Sequence, residues 1–214
     1  MKTSEMLTLA MAFVAGAGGA MAQERTPLTQ DRSPISVKKT IDHCFNCHGY
    51  QGRNTGSIVP APQLAGLQAG YIEQELKKFR DRTRGDPYAV AYMWGTAQTF
   101  TDAKIKELGA YFAAQAPISG TSQDPAAVAA GRKIFAEGVP STGVPPCFGC
   151  HGEKALGNET APPVPRLASQ HREYLADQLL FFKTGQRASD IMHGIAGNMT
   201  DEQIQQVAAY LASL

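Results

Sequence analysis

The sequence predicts two mostly α-helical domains of similar fold, arranged in tandem along 214 residues. Two observations carry this prediction. A block of sequence recurs after about 100 residues, and a period of that length indicates two domains, not a short-repeat solenoid. Apolar residues recur at helical spacing in both copies, while no convincing strand pattern is present. The hydrophobic content of 43% is ordinary for a globular protein and agrees with this prediction.

The first 32 residues precede the repeated region. Lys2, an apolar stretch and the small residues Ala20 and Ala22 form the three parts of an export signal, so residues 1–22 are interpreted as a signal peptide. The alternative is an uncleaved membrane anchor, but the apolar stretch is short for a span and rich in glycine. Residues 23–32 then form an N-terminal extension, and a periplasmic location is expected.

The repeat places the two domains at residues 33–117 and 124–214, with an uncharged linker containing Gly and Ser at 118–123. Corresponding positions differ by 103 in the first part of each copy and by 99 in the last part. An insertion or deletion of four residues near 85–88 accounts for the change.

Helix signals recur in both copies. Ser33-Pro34 and Asp124-Pro125 each combine an N-cap residue with proline at the first helical position, and each predicts a helix that ends near the cysteine motif. A further helix is predicted at about 71–82 and at the corresponding 174–185. A Thr-Asp pair then opens a closing helix in each copy. The buried face of the second closing helix is predicted to contain Ile204, Val207, Ala208 and Leu211.

Each copy contains Cys-x-x-Cys-His, the attachment signature of c-type haem. In this chemistry two thiols hold the haem covalently, and the adjacent histidine becomes the proximal iron ligand. The attachment residues are predicted to be Cys44, Cys47, Cys147 and Cys150, and the proximal ligands His48 and His151. The sequence therefore predicts two covalently bound c-type haems.

Three other interpretations of the four cysteines are weaker. A structural zinc site would need pairs separated by about 15–20 residues, whereas these pairs lie about 100 residues apart. A thioredoxin-like redox pair needs a βαβ context, which the helical pattern does not supply. Two ordinary disulfides would not explain why a histidine follows both pairs.

After the predicted signal only Met93, Met192 and Met199 remain as methionines. Met93 and Met192 correspond under the shift of 99, in a Met-x-Gly context on a predicted loop before the last helix. They are predicted to be the distal iron ligands, although a methionine in a small domain is more often core filler. His193 competes in the second copy, but its counterpart Trp94 cannot bind iron. His/Met ligation raises the haem potential, as suits an electron-transfer cytochrome.

Each proximal histidine also needs an acceptor for its second ring N–H, which fixes the orientation of the ring. A backbone carbonyl in the proline-rich segments 59–62 and 162–165 is expected to supply it. Arg84 and Arg187 correspond under the shift of 103 and are candidates for contacts with the haem propionates. The alternative for both is a solvated loop arginine.

With these residues in view, the chain resembles the dihaem cytochromes c of the c4 type over about residues 33–214. Besides the cysteine motifs, the blocks that carry the resemblance are 62–66 with Tyr71, 165–168 with Gln170, Tyr174 and Gln178, and 192–196. The resemblance implies a tandem duplication of two class I cytochrome c domains, mostly α and related by a pseudo-twofold axis, with His/Met ligation in both. It also implies a periplasmic carrier that moves electrons from a respiratory donor complex to a terminal oxidase.

Charge differs between the copies. Residues 33–117 carry 10 Lys+Arg and 7 Asp+Glu, whereas residues 124–214 carry 7 and 9. The net charge of +1 lacks the basic excess of a dedicated nucleic-acid binder. One cluster is predicted to be a docking surface for an acidic redox partner, unless it is only a solvated helix end. It consists of Lys77, Lys78, Arg80, Arg82 and Arg84.

Three functions remain open. The first is a diffusing electron carrier that associates transiently with membrane complexes and performs no chemistry on a substrate. The second is the dihaem subunit of a dehydrogenase, for example one resembling flavocytochrome c sulfide dehydrogenase, which would form a large stable interface. The third is an enzyme with an open distal position, such as a dihaem peroxidase, and the matching methionines argue against it. The sequence therefore favours a carrier that is not an enzyme.

Overall fold

The computed structural model describes residues 36–55, 60–121, 124–160 and 163–214. Within these ranges the chain forms helices and isolated β-bridges but no strand, which confirms the mostly α prediction. All described residues belong to one compact unit. The predicted signal at 1–22 and the extension at 23–32 lie outside the described residues.

The first half contains four described helices. They are α1 (Val37–His48), α2 (Ala69–Arg80), α3 (Trp94–Ala97) and α4 (Asp102–Ala113), with a short 3-10 turn at Tyr50–Gly52 and a π-helical turn at Ala89–Met93. Ser36 is the N-cap of α1, since its hydroxyl accepts from the Lys39 amide at 3.4 Å. The prediction that Ser33 caps this helix is therefore wrong. Ser33 and Pro34 lie outside the described residues.

The second half contributes five described helices. They are α5 (Pro125–Glu137), α6 (Phe148–His151), α7 (Arg172–Lys183), α8 (Asp190–Gly197) and α9 (Asp201–Ala212). Asp124 caps α5 as predicted, because its Oδ1 accepts from the Ala127 amide at 3.0 Å. The prediction that α5 ends near the cysteine motif is wrong. Gly138, with φ at 71°, turns the chain away, and the bridge between Val139 and Val144 closes a loop before Cys147.

The equivalent helices α2 and α7 begin and end slightly earlier than the predicted ranges 71–82 and 174–185. Arg82 and Gly185 explain the ends, because both adopt left-handed backbone conformations, with φ at 57° and 76°. A left-handed residue just beyond the last turn is a common way to end a helix. The repeat therefore extends to the helix terminations.

The closing helices α4 and α9 begin as predicted. Thr101 accepts from the Lys104 amide at 3.2 Å, and Thr200 forms a reciprocal capping box with Gln203. The predicted buried face of α9 is confirmed, since all four of its residues lie in the hydrophobic core of the second half. A separate core in the first half contains the buried face of α4.

Helix α5 crosses α9 closely at Gly131. A Cβ placed there would lie 2.0 Å from the Gln206 carbonyl oxygen, so only glycine allows this approach. At the linker, the Gly120 amide donates to the Leu214 carbonyl at 3.0 Å and ties the segment to the end of the chain. In the ranges that the structure covers, no helix has the length and apolar character that crossing a membrane requires.

Candidate haem-binding sites and the interface between them

The last turns of α1 carry the first cysteine motif, and His48 ends the helix. The Nδ1 atom of His48 lies 2.8 Å from the Pro62 carbonyl oxygen. Because a carbonyl can only accept, Nδ1 carries the proton, and Nε2 is the nitrogen left for a metal. Burial lowers the pKa of His48, although the Pro62 carbonyl opposes this in part. A lowered pKa favours the neutral imidazole, which is the form that can bind a metal ion.

The second site repeats this arrangement. His151 ends α6, and its Nδ1 lies 3.0 Å from the Pro165 carbonyl oxygen. Burial again lowers the pKa of the imidazole, with the Pro165 carbonyl opposing it. Both acceptors lie in the proline-rich segments where the sequence placed them.

No disulfide joins any of the four cysteines, so the disulfide interpretation is wrong. Cys44 and Cys147 are partly buried, and burial raises the pKa of each to about 11. A redox-active cysteine works as a thiolate, which a raised pKa disfavours. Their partners Cys47 and Cys150 are exposed. Among the described residues, no group of three or more His, Cys, Asp and Glu side chains is arranged to hold a metal ion, as a structural zinc site would need.

The predicted haem-binding residues of the first half line one cleft. Its space is about 1140 Å³, including a mouth open to solvent, and its lining includes Cys44, Cys47, His48 and Met93. The remaining wall is largely apolar, as in most cofactor sites. Two anchoring thiols, a neutral imidazole and an apolar wall of this size together fit a covalently held haem.

The two methionines lie on helical segments, so the prediction of a loop is wrong. Met93 ends the π-helical turn, and Met192 lies in the first turn of α8. The reason is local capping. The Met192 amide donates to the Ser189 hydroxyl at 3.3 Å, and the Ala89 amide donates to Asp86 at 3.2 Å. Both caps start a helical turn shortly before the methionine.

Met199 packs in the core of the second half at 4% exposure, which makes it the core filler among the three methionines. His193 is exposed, and its Nδ1 lies 2.7 Å from the Phe182 carbonyl oxygen. As distal ligands, Met93 and Met192 stay a prediction.

Arg84 and Arg187 are buried, at 5% and 7% exposure, so the alternative of solvated loop arginines is wrong. Arg84 donates to Glu75 at 2.7 Å and to Asp86 at 2.6 Å. Arg187 donates across to Glu75, at 3.0 Å and to the same carboxylate oxygen. Arg84 also lines the first cleft. Contacts of either arginine with haem propionates stay a prediction.

These arginines join the two halves. The amide oxygen of Gln178 accepts from Arg84 at 2.8 Å and from Arg187 at 2.6 Å. Each guanidinium also reaches the tyrosine of the opposite half, Tyr174 for Arg84 and Tyr71 for Arg187. Each arginine therefore contacts the tyrosine of the other half, which is the reciprocal pattern expected for two domains related by a pseudo-twofold axis.

A second polar contact lies beside this cluster. The Gln63 amide donates to the Gln170 side chain at 2.8 Å, and Gln170 returns a hydrogen bond to the Gln63 carbonyl at 3.0 Å. Gln63 also donates to the Ser169 carbonyl at 2.7 Å. Because these groups are buried and paired, the interface specifies one arrangement of the halves.

Sequence reasoning missed Glu75 and Asp86. Burial by itself would raise the pKa of Glu75, but the charges of Arg187, Arg84 and Lys78 lower it to about 2. One signal could have identified it. Glu75 is an acidic residue on the buried face of α2, beside Ile72 and Leu76, where an isolated charge would be unstable.

The predicted docking cluster is wrong in part. Arg84 is buried at the interface, Lys78 pairs with Glu75 at 2.9 Å, and Arg80 pairs with Asp102 at 2.6 Å. These ion pairs neutralise charges that the sequence analysis expected to face solvent. Arg82 is exposed and lies 5.7 Å from the centre of the Trp94 ring.

Comparison with known proteins identifies the family of the chain. Residues 128–214 match the cytochrome c family. Cytochrome c4 of Thiocapsa roseopersicina is 35% identical over 175 residues, 80% of this chain and 86% of that protein. The chain belongs to the cytochrome c4 family. Cytochrome c-552 of Acidithiobacillus ferridurans is 40% identical over 184 residues, 85% of this chain and 77% of that protein. The cytochrome c4 structure from Acidithiobacillus ferrooxidans, 38% identical, superimposes with a TM-score of 0.74 over 81% of this chain and 99% of that one.

As a cytochrome c4, the chain has the two-domain cytochrome c fold, two covalent c-type haems and a role in electron transfer with redox protein partners. Two further relatives are named for thiosulfate dehydrogenase. A thiosulfate dehydrogenase electron acceptor from Thiomonas intermedia is 33% identical over 79% of this chain and 77% of that protein. The thiosulfate dehydrogenase TsdBA structure from Marichromatium purpuratum is 30% identical, with a TM-score of 0.69 over 79% of this chain and 36% of that one.

Proposed function

We propose that this cytochrome c4 is a periplasmic carrier that takes electrons from a respiratory donor and delivers them to a terminal oxidase. The observation that carries the proposal is the pairing of two equivalent haem-binding halves through a buried ionic interface. Such a molecule holds two redox groups in a fixed relation and needs no site for a substrate. Each haem, when bound, supplies an iron that alternates between the ferric and ferrous states.

The protein's own residues would orient the iron ligands at both sites. The Pro62 and Pro165 carbonyls fix the ring orientation of the proximal histidines. We propose that Met93 and Met192 close the distal positions, so that no water or small ligand reaches the iron. The largely apolar wall of the first cleft would surround the haem with a medium of low polarity, which influences its potential.

Delivery to an oxidase can be tested directly. Reduced holoprotein is mixed with membranes that contain a terminal oxidase, and its oxidation is followed optically with and without an oxidase inhibitor. The proposal expects rapid, inhibitor-sensitive oxidation that slows as ionic strength rises. Failure of such membranes to oxidise the protein would contradict the oxidase as acceptor.

A second function is supported by the likeness to thiosulfate dehydrogenase electron acceptors. In this alternative, the chain receives electrons from a dehydrogenase, either in passing or as its stable subunit. The test mixes oxidised holoprotein with a thiosulfate dehydrogenase and thiosulfate, and then applies the mixture to size-exclusion chromatography. Reduction without co-elution indicates a diffusing acceptor, co-elution indicates a subunit, and absence of reduction contradicts this alternative.

The location is tested separately. The exported, haem-loaded protein is isolated from the periplasmic fraction, and its intact mass is measured. A chain that begins at Gln23 would support signal cleavage after residue 22. A full-length chain in the membrane fraction would instead support the uncleaved anchor and contradict release into the periplasm.

A further inference from the structure

The chain segment that leads to Met93 is longer than its counterpart in the second half. Eight residues separate Arg84 from Met93, whereas four separate Arg187 from Met192. In the second half, Ser189 caps α8 directly, and Met192 lies in the first turn of that helix. The first half therefore has four additional residues between its buried arginine and its predicted distal ligand.

The backbone on both sides of Met93 is tied to Arg84. Asp86 is fully buried, and it accepts hydrogen bonds from the Arg84 side chain at 2.6 Å and from the Ala89 amide at 3.2 Å. Just after Met93, the ring N–H of Trp94 donates to the Arg84 carbonyl at 2.7 Å. The π-helical turn between these anchors ends on Met93. Such turns are rare, and they often mark functional sites.

Tyr88, in the middle of this segment, contacts the second half. Its hydroxyl donates a hydrogen bond to the Asp177 carboxylate, and its ring packs edge-on against Phe181, with ring centroids 5.2 Å apart. Asp177 and Phe181 are one turn apart on α7. Tyr88 also lines the first cleft together with Met93. One side chain therefore connects the wall of the first haem-binding cleft to a helix of the other half.

The hydrogen bond of Tyr88 is available across the physiological pH range. Burial and the contact with Asp177 raise the pKa of Tyr88 to about 12, so the hydroxyl stays protonated and can donate. A hydrogen bond to a charged acceptor is stronger than one between neutral groups, and the aromatic pair adds to it. Since Arg84 also donates to Gln178, the segment is fastened to the second half at two points.

We propose that Tyr88 is a positioning residue for Met93, because it holds the segment that carries this distal ligand against α7 of the second half. The inference rests on the distal role of Met93 in the proposed function. Loss of the hydrogen bond between Tyr88 and Asp177 frees the segment, so that Met93 is displaced from the iron more readily. The coupling is reciprocal, so displacement of Met93 weakens the same contact between the halves. Met192 should not respond, because it follows a cap from its own half.

The test measures how readily imidazole displaces each methionine. Ferric holoprotein of wild type, Tyr88→Phe, Asp177→Ala and the double variant is titrated with imidazole, and the shifted methionine methyl signals in NMR spectra report on the two haems separately. Met93→Ala and Met192→Ala holoprotein assign these signals. Tyr210→Phe is the matched control, since it removes a hydroxyl from a partly buried tyrosine of the second half that does not line the first cleft.

Tyr88→Phe and Asp177→Ala are each expected to tighten imidazole binding at the first haem by about tenfold, because each removes the same charge-assisted hydrogen bond. The double variant should differ little from either single variant, since the two groups form one contact. The second haem in these variants, and both haems in Tyr210→Phe, should keep the wild-type affinity. Wild-type affinity at the first haem in folded Tyr88→Phe, or an equal increase at both haems, would overturn the inference.

Loss of folding does not remove the test. Asp177→Ala leaves the Tyr88 side chain in place and serves if Tyr88→Phe does not fold, and an unchanged affinity at the first haem would again overturn the inference. Failure of the distal assignment is recognised separately, because Met93→Ala holoprotein would then retain both methionine signals. That result would contradict the proposed distal ligand together with this inference, whereas an unchanged affinity in Tyr88→Phe contradicts the inference alone.

Discussion

At the scale of single residues, one hydrogen bond sets the chemistry of each proximal histidine. The Nδ1 atom of His48 is hydrogen-bonded to the Pro62 carbonyl, and the same contact recurs between His151 and Pro165. A ring held in this way points Nε2 in one direction and leaves that nitrogen unprotonated, so that it can bind a metal. Glu75 depends on charged partners instead, since it is paired with Arg84, nine residues along the chain, and with Arg187 of the second half.

The distal ligands give a prediction at this scale. Met93→Ala and Met192→Ala are each expected to open one haem and leave the other closed, since each removes the only predicted distal donor of its half. Ferric spectra should lose about half of the methionine–iron band, and carbon monoxide should bind to about half of the ferrous haem. Optical titration of the purified holoprotein measures both.

Met199→Leu is the matched control for these variants. Met199 lies in the core, so a swap of similar volume should cost less than about 1.5 kcal/mol and leave both spectra intact. Loss of the band in Met199→Leu protein, or binding of carbon monoxide by the wild type, would show that the distal assignment is wrong.

At the scale of elements, local signals predicted most of the helices. Asp124-Pro125 and the Thr-Asp pairs identified helix starts because capping depends on neighbours in sequence. The loop expected around Met192 was wrong because the Ser189 side chain provides a cap that begins α8 earlier. The charged contacts of Glu75 could not be predicted, because its partners come from separate elements in both halves.

The crossing of α5 and α9 gives a prediction for these elements. Gly131→Ala would place a Cβ 2.0 Å from the Gln206 carbonyl, so the helices must separate. The expected loss in free energy of unfolding is about 1–3 kcal/mol, as for other overpacked sites. Urea unfolding of the holoprotein measures it.

Gly197→Ala provides the comparison within the same half. No atom lies within 4 Å of a Cβ at that position in α8, and alanine favours helix more than glycine does. Gly197→Ala should be neutral or slightly stabilising. Equal stability of the two variants would show that the α5–α9 crossing tolerates a side chain at Gly131.

At the scale of the whole molecule, buried hydrogen bonds and ion pairs connect the two halves. Glu75 accepts from one arginine in each half, and Gln178 does the same from the opposite side. Buried ion pairs contribute little net stability compared with apolar packing, but removal of one partner leaves an unpaired charge and is costly. The interface therefore specifies how the halves meet.

The titration of Glu75 predicts how this interface responds to acid. Its pKa is about 2 in the folded protein against an ordinary 4.5, so its contribution to stability is complete above pH 4.5 and is lost as the pH falls toward 2. The loss amounts to about 3 kcal/mol. The free energy of unfolding should therefore fall less steeply between pH 5.5 and pH 3 in Glu75→Gln than in wild type.

Glu73→Gln controls for the loss of any carboxylate on α2. Glu73 lies on the same helix but outside the cluster formed by Glu75 and the two arginines, so this variant should keep the wild-type pH dependence. Urea unfolding at both pH values compares the three proteins. If the free energy of unfolding fell equally with pH in wild type and in Glu75→Gln, the ionisation of Glu75 would not contribute to the pH dependence of stability.

The pairing of Glu75 with Arg187 also bears on the ancestry of the chain. A duplication begins with two identical copies, each of which has to be stable with its own residues. Here the first half sets Arg84 and the partly exposed Lys78 against two buried acids, whereas the second half holds an arginine whose anionic partner lies in the first half. Separation of the halves would leave Arg187 without Glu75. The exchange of Glu75 contacts therefore distinguishes the present halves from two identical copies, because the pairing of Arg187 now depends on the other half.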